Sequence, residues 1–235
     1  MRCAFCATGR LGFKRNLSSA EIYAQFVSIN RRAEEKLGKS LTNVVLMGMG
    51  EPLLNYEEVA RFVSIINSET GHLFSARRIT VSTVGIPPYI KKLADDGLKV
   101  GLAVSLHAAT NEKRYVVVPI NKTYPIEMLT EALQYYNTKT KNNITFEYVL
   151  LRGFNDGRTD ALQLAALCKR LSAKVNLIEF NSFEGVEYQK PEPVMTANFN
   201  RILKEQGVNC TLRQSRGENI NAACGQLSNK YNTIN

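Results

Sequence analysis

The sequence is short of several things, and each shortage closes off a class of protein. No apolar run approaches the ~20 residues that a membrane-spanning helix needs, so no membrane partner is expected. The first residues show neither the apolar core of a secretory signal nor the Arg/Ser-rich character of a transit peptide, and a cytoplasmic chain is expected. Internal repeats, low-complexity segments and long polar linkers are all missing. Charged residues make up 22% of the chain, close to the globular average, which argues against wholesale disorder. The five cysteines are an odd count, and with no secretory signal they point to a reducing compartment rather than a disulfide framework.

What is present is enough for one sizeable core: 235 residues, 44% of them hydrophobic. The formal charge is +9, spread as pairs such as Arg31-Arg32, Arg77-Arg78, Lys91-Lys92, Lys139 with Lys141, and Arg213 with Arg216. Such a pattern fits either a solvated basic surface or a folded surface that meets a polyanion, nucleic acid above all.

Short β-branched runs recur at 43–48, 78–83, 100–106, 144–151, 174–180 and 209–214. Several are apolar on successive residues, as strands covered on both faces are. Helical periods alternate with them. The first, over 18–37, offers Ser18 or Ser19 as a cap and a stripe of Ile22, Phe26 and Ile29. Gly97 and Gly207 stand where helix-terminating glycines stand. Alternation predicts an α/β fold with a parallel sheet and right-handed crossovers. A barrel or partial barrel is favoured, with a doubly wound open sheet as the competitor. Cys168 in ALQLAALCKRL and Cys210 in VNCTLRQ read as packing residues.

Polar residues gather at the predicted strand ends. MGMGEPLLN follows the first strand, the second ends at Ser82-Thr83, the third at Ser105-Leu106-His107, and the fifth at Glu179-Phe180-Asn181. In barrels the ligand face lies at the C-terminal ends of the strands, so Glu51, Ser82, Ser105, His107 and Asn181 should ring one opening. Gly48 and Gly50 would let the backbone approach a ligand, with Glu51 placed to take an amine, although a tight turn would also use these residues. His107 fits a site role or a packed structural one, and His72 reads as a surface-loop residue. Cys3 and Cys6 form a single Cys-x-x-Cys pair. Half a zinc ribbon, a redox dithiol and an iron–sulfur ligand pair all remain open on spacing alone. Cys224, in the small-residue stretch NAACGQL, reads as accessible and suited to a nucleophile or acceptor role.

Taken together, these motifs resemble the radical SAM methyltransferases that methylate adenine in 23S ribosomal RNA, the RlmN/Cfr family. The resemblance runs in order through GRLGFKRNLSSAEIYAQ, MGMGEPLLN, SLHA at 105–108, VPINK at 118–122 and AACGQL at 222–227, and covers essentially the whole chain. It implies a radical SAM catalytic domain over 1–235, built as a partial (β/α)6 TIM-like barrel that lacks its first strand here. It implies a [4Fe-4S] cluster, with Cys3 and Cys6 matching the second and third cysteines of C-x-x-x-C-x-x-C. By motif match, Gly50, Glu51, Ser82, Ser105, Leu106, His107 and Asn181 would hold S-adenosylmethionine (SAM). Cys224 would first receive a methyl group from one SAM. A second SAM, cleaved to a 5′-deoxyadenosyl radical, would activate that methyl for addition to the electron-poor ring, and a second cysteine would resolve the adduct.

The resemblance further implies 23S rRNA, and tRNA in some members, as substrate, an electron donor such as flavodoxin, and a monomer. The family's first cluster cysteine would stand four residues before Cys3, upstream of Met1. The first barrel strand, an RNA-binding domain, an acidic proton acceptor and the resolving cysteine would also stand upstream. The expectation is therefore a truncated chain or a misplaced start, with one exposed barrel edge that risks aggregation and a cluster that is labile or absent. Glu51-Pro52-Leu53-Leu54 and Arg216 look more like the C2-methylating than the C8-methylating branch. A non-enzymatic RNA-binding remnant is the alternative from another class.

Overall fold

In the computed structural model, described here over residues 1–213, six strands form one parallel sheet. They are β1 (Val44–Leu46), β2 (Ile79–Thr83), β3 (Gly101–Ser105), β4 (Ile144–Leu150), β5 (Lys174–Glu179) and β6 (Cys210–Arg213). Their order in the sheet is their order in the sequence. A doubly wound sheet reverses its order at a switch point, and this one does not, which leaves the barrel-type winding. The sheet curls far enough for Arg213 Nη1 in β6 to lie 3.9 Å from Met47 Sδ, just past β1. Among the described residues β1 and β6 are not paired, so the barrel is partial.

The helices are α1 (Ala7–Arg10), α2 (Ser19–Leu37), α3 (Tyr56–Asn67), α4 (Pro87–Asp95), α5 (Asn111–Val117), α6 (Ile126–Thr140), α7 (Arg158–Leu171) and α8 (Pro193–Glu205). Ser18 caps α2 with a full capping box: its Oγ accepts from Glu21 N–H at 3.3 Å, and Glu21 Oε2 accepts from Ser18 N–H at 2.9 Å. The buried stripe of α2 differs from the expected one. Phe26 is buried, but Ile29 is 52% exposed and Asn30 takes the inward position four residues on. Asn30 is tolerated there because its Oδ1 accepts from Leu41 N–H and its Nδ2 donates to Glu34. Gly97 and Gly207 follow α4 and α8 with φ of 65° and 76°, the left-handed turn that ends a helix cheaply only at glycine.

The two faces of the sheet differ in chemistry. Ile144, Phe146, Tyr148 and Leu150 of β4 face the helices and join one large apolar core with Leu102, Val104, Val175 and Leu177. The opposite face carries a polar row in register: Ser105 beside Glu147, Glu147 beside Asn176, and Asn176 beside Thr211. Side chains alternate along a strand, so the helix-facing residues drive folding while the inner face is left for polar work. Both edge strands are less covered than the centre. Val45 in β1 is 51% exposed, and Cys210 in β6 is half-buried rather than fully packed, whereas Cys168 in α7 is buried as expected.

Candidate active site at the C-terminal ends of the strands

The loop bearing Cys3 and Cys6 lies at the C-terminal ends of the strands and is tied down from several sides. Ala4 N–H donates to Val117 O at the end of α5 at 3.0 Å. The ring of Phe5 meets His107 edge-on, 4.5 Å between centroids. Thr8 Oγ1 donates to Gly48 O in the loop after β1 at 3.3 Å. Cys3 and Phe5 pack against a second small apolar cluster of Val117, Val118, Val149, Leu151 and Phe180. Phe180 directly precedes Asn181, so that strand end adjoins the same cluster.

Both thiols are half-buried. Burial and the neighbouring Cys6 push the Cys3 thiol up to about 11. A thiol held protonated in this way is a poor nucleophile. A bound metal would remove the proton and the penalty together.

Glu51 begins the turn after the MGMG loop. Its Oε1 accepts from Leu53 N–H at 3.0 Å and its Oε2 from Val84 N–H at 2.8 Å. The carboxylate therefore stitches the β1 loop to the end of β2, and burial raises its pKa against those hydrogen bonds. Gly48 and Gly50 have φ of 118° and 92°. A Cβ at either would touch nothing within 4 Å, so glycine is needed for the backbone conformation and not to relieve crowding.

Ser82 is buried on β2, Ser105 is half-buried at the end of β3, and Leu106 is fully buried. Leu106 donates its N–H to Glu147 O, and its carbonyl accepts from Arg114 Nε, so both its polar backbone groups already serve the fold. His107 is buried with a left-handed φ of 60°. Its Nδ1 accepts from Val149 N–H at 3.1 Å, which leaves the proton on Nε2. Burial, helped by the nearby Arg114 charge, lowers its pKa to about 3, so the ring is neutral. The Cys loop rests on this buried, neutral ring through Phe5. His72 is exposed on a loop, its ring 5.0 Å from that of Phe26.

Three further residues of the site were not singled out by the sequence reading. Asn155, fully buried, donates Nδ2 to His107 O and Val149 O and accepts from Leu151 N–H, all within 2.8 Å. Arg114, also fully buried, reaches the carbonyls of Val84, Ser105 and Leu106 and the side chain of Asn121. Glu147 is buried on the inner wall, with Oε1 accepting from Asn176 Nδ2 at 2.8 Å and Oε2 3.5 Å from Arg213 Nη1. A lone carboxylate inside the apolar run ITFEYVLL is the one sequence sign that could have exposed it. Cys224 and Arg216 lie outside the described residues.

The donor set bears on the three readings of Cys-x-x-Cys. Among the described residues no group of three or more His, Cys, Asp or Glu converges as a metal site. A four-ligand zinc ribbon therefore has no second half there. The two thiols instead sit at the mouth of a barrel with a polar inner wall. Soft thiolates in a half-apolar setting suit two corners of an iron–sulfur cluster, and the polar row suits an amino-acid nucleoside such as SAM.

The charge distribution is more paired than its count suggests. Arg31 pairs with Glu35, Lys91 with Glu131, Lys92 with Asp96 and Lys139 with Asp95, at 2.7 to 3.1 Å. These helix-face cations are solvated ion pairs and so contribute less to a polyanion surface than their number implies.

Comparison with known proteins agrees with this geometry. The chain is 47% identical over 232 residues to a probable dual-specificity RNA methyltransferase RlmN of Salinibacter ruber, covering 98% of this chain and 63% of that protein. It is 48% identical to the protein of the same description from Thermotoga maritima, covering 97% of this chain and 65% of that one. A crystal structure of a radical SAM methyltransferase from Sphaerobacter thermophilus superposes with a TM-score of 0.92 at 47% identity, covering 96% of this chain and 66% of that one. The chain therefore spans just under two thirds of the length of these relatives. Residues 1–165 match the Radical SAM superfamily, and with the partial barrel and the Cys3–Cys6 loop at its mouth, the chain belongs to that superfamily.

Proposed function

We propose that residues 1–235 are the catalytic domain of a SAM-dependent RNA methyltransferase that methylates C2 of an adenine in 23S rRNA, and of an adenine beside the tRNA anticodon. The single observation that carries this is the half-buried Cys3–Cys6 pair, anchored between His107, Val117 and Gly48 at the mouth of a parallel barrel. High identity to proteins described as dual-specificity RNA methyltransferases supports the RNA substrate.

In this reading Cys3 and Cys6 provide two thiolate ligands to a [4Fe-4S] cluster. Gly50, Glu51, Ser82, Ser105, Leu106, His107 and Asn181 hold SAM, with Leu106 offering only shape because its polar groups are occupied. The bound cluster supplies the low-potential electron that reductive cleavage of SAM requires. The chain's own residues do the rest. Glu51 fixes the glycine loop against β2, and neutral His107 supports the Cys loop without adding charge. The apolar cluster around Val118 and Phe180 helps shield the Cys3 thiol from water. Cys224 would take a methyl group from one SAM as a thioether, losing its thiol proton and releasing S-adenosylhomocysteine. A one-electron donor of the flavodoxin class serves the site, and the protein acts as a cytoplasmic monomer. The target adenine must leave its stack to reach a barrel mouth, which favours a loop nucleotide.

The test is mass spectrometry of nucleosides from RNA incubated anaerobically with the natural full-length protein, SAM and a reductant. The expected product is 2-methyladenosine. Formation of 8-methyladenosine would assign the protein to the other branch, and RNA binding with no methylated adenosine would leave a non-catalytic binder.

A further inference from the structure

Arg114 is a large charged side chain with no exposed surface. Its Nε donates to Leu106 O at 3.1 Å, its Nη1 to Asn121 Oδ1 at 2.7 Å, and its Nη2 to Val84 O at 2.5 Å and Ser105 O at 3.4 Å. Every one of these acceptors is neutral. Among the described residues no carboxylate lies within ion-pair distance of the guanidinium. Burial lowers its pKa only to about 10, so it stays charged at neutral pH.

Burying a charge without a counter-charge costs several kcal/mol even when its donors are satisfied. A neutral donor could tie strand ends together more cheaply. The charge itself therefore calls for an anion, and the surroundings show where that anion would be. Arg114 stands one turn before Val117 on α5, and Val117 O holds Ala4 N–H of the Cys loop. Cys3 packs against Val117 and Val118.

We propose that Arg114 is a positioning residue and fixed counter-cation for the anionic thiolate-ligated cluster that Cys3 and Cys6 would hold, and that its charge sets how readily this cluster accepts an electron. The inference rests on the site reading above. One side chain then serves two ends. Its fork gathers the carbonyls at the C-terminal ends of β2 and β3, and its helix holds the Cys loop through Val117 O. Net charge and hydrogen bonding are the protein's main levers on an iron–sulfur potential, and a buried cation near the cluster favours the reduced state.

The test uses the natural full-length protein, loaded anaerobically with iron and sulfide, and an electron paramagnetic resonance redox titration of wild type and three variants. Arg114→Met removes the charge. Arg114→Lys keeps the charge and loses the fork. Asn121→Asp keeps the arginine and its packing but puts a carboxylate against Nη1, which neutralises the cation in place. Arg114→Met and Asn121→Asp should each lower the ratio of reduced to oxidised cluster about tenfold at a fixed poise, a midpoint shift of about 59 mV to more negative values for one electron. Arg114→Lys should keep a midpoint near that of wild type while melting at a lower temperature. If Arg114→Met fails to fold, Asn121→Asp decides alone. A loaded wild type whose midpoint is shared by Asn121→Asp and Arg114→Met overturns the inference and leaves the site reading standing, as do shifts that follow melting temperature instead of charge. A wild type that takes up no cluster overturns both.

Discussion

Replacing Asn155 by alanine tests the link between fold and site, because this one side chain ties His107 to the end of β4. It makes three hydrogen bonds at 2.7 to 2.8 Å with no access to water, accepting from Leu151 N–H and donating to the carbonyls of Val149 and His107. Alanine deletes all three and strands one buried N–H and two buried carbonyls. Each such loss costs roughly 1–2 kcal/mol when the partner is left dry, so the sum is about 4 kcal/mol. For a chain of this size that is a fall in melting temperature of roughly 8–16 °C. Urea unfolding followed by circular dichroism measures it, and the midpoint should drop with little change in slope. The Cys loop rests on His107 through Phe5, so hydrogen exchange at residues 3–6 should rise in the same variant. A loss below 1 kcal/mol, or a large loss with unchanged exchange at the loop, would refute the claim that Asn155 supports the site.

Other expectations follow from individual groups. His107 titrates near 3 when folded and near 6.5 when unfolded, so its contribution is fully present above pH 6.5 and is lost as pH falls toward 3, because only the unfolded chain takes the proton in that window. The slope is about 1.4 kcal/mol per pH unit, and subtracting the pH–stability curve of His107→Gln from that of wild type should isolate it; equal slopes would show that the ring is not buried neutral. Gly71 and Gly50 should respond differently to alanine. A Cβ at Gly71 would sit 2.1 Å from Ile65 O, so the backbone must move at a cost of roughly 2–4 kcal/mol. At Gly50 the space is open and only the φ of 92° resists, at about 1–2 kcal/mol. Chemical denaturation of the two variants checks the order, and the reverse order would count against the loop geometry.

The strands were legible because the runs are rich in β-branched residues, several are apolar on successive residues and turn residues bound them, and all six strands lie where those runs predict. The two edge strands shrink or show exposed positions because a strand with a neighbour on one side only is incompletely covered. The stripe on α2 was misread at Ile29, since sequence periodicity alone did not choose between the third and the fourth residue after Phe26. Packing chose Asn30, whose amide the loop at Leu41 could satisfy. In the candidate site, the glycine loop, the strand-end serines and the Cys pair are legible because their residue types are unusual for their positions. Arg114 and Asn155 are not, because a charged residue on a short polar helix and an asparagine in GFNDG both look solvated. Their burial is decided by long-range packing, thirty residues away at Val84 and forty-eight away at His107. The packing of His107 was not legible either, because its partners, the Val149 N–H at Nδ1 and the Phe5 ring, come from distant parts of the chain.

The central claim is that Cys3 and Cys6 hold an iron–sulfur cluster to which SAM binds. It is tested most directly by electron paramagnetic resonance of the reduced, natural full-length protein, recorded with and without SAM, in wild type and in Cys3→Ser and Cys6→Ser. The account predicts a cluster signal that changes on adding SAM and is lost from both variants, while Cys210→Ala keeps it. A signal that survives in either serine variant, or one that SAM leaves untouched, would contradict it.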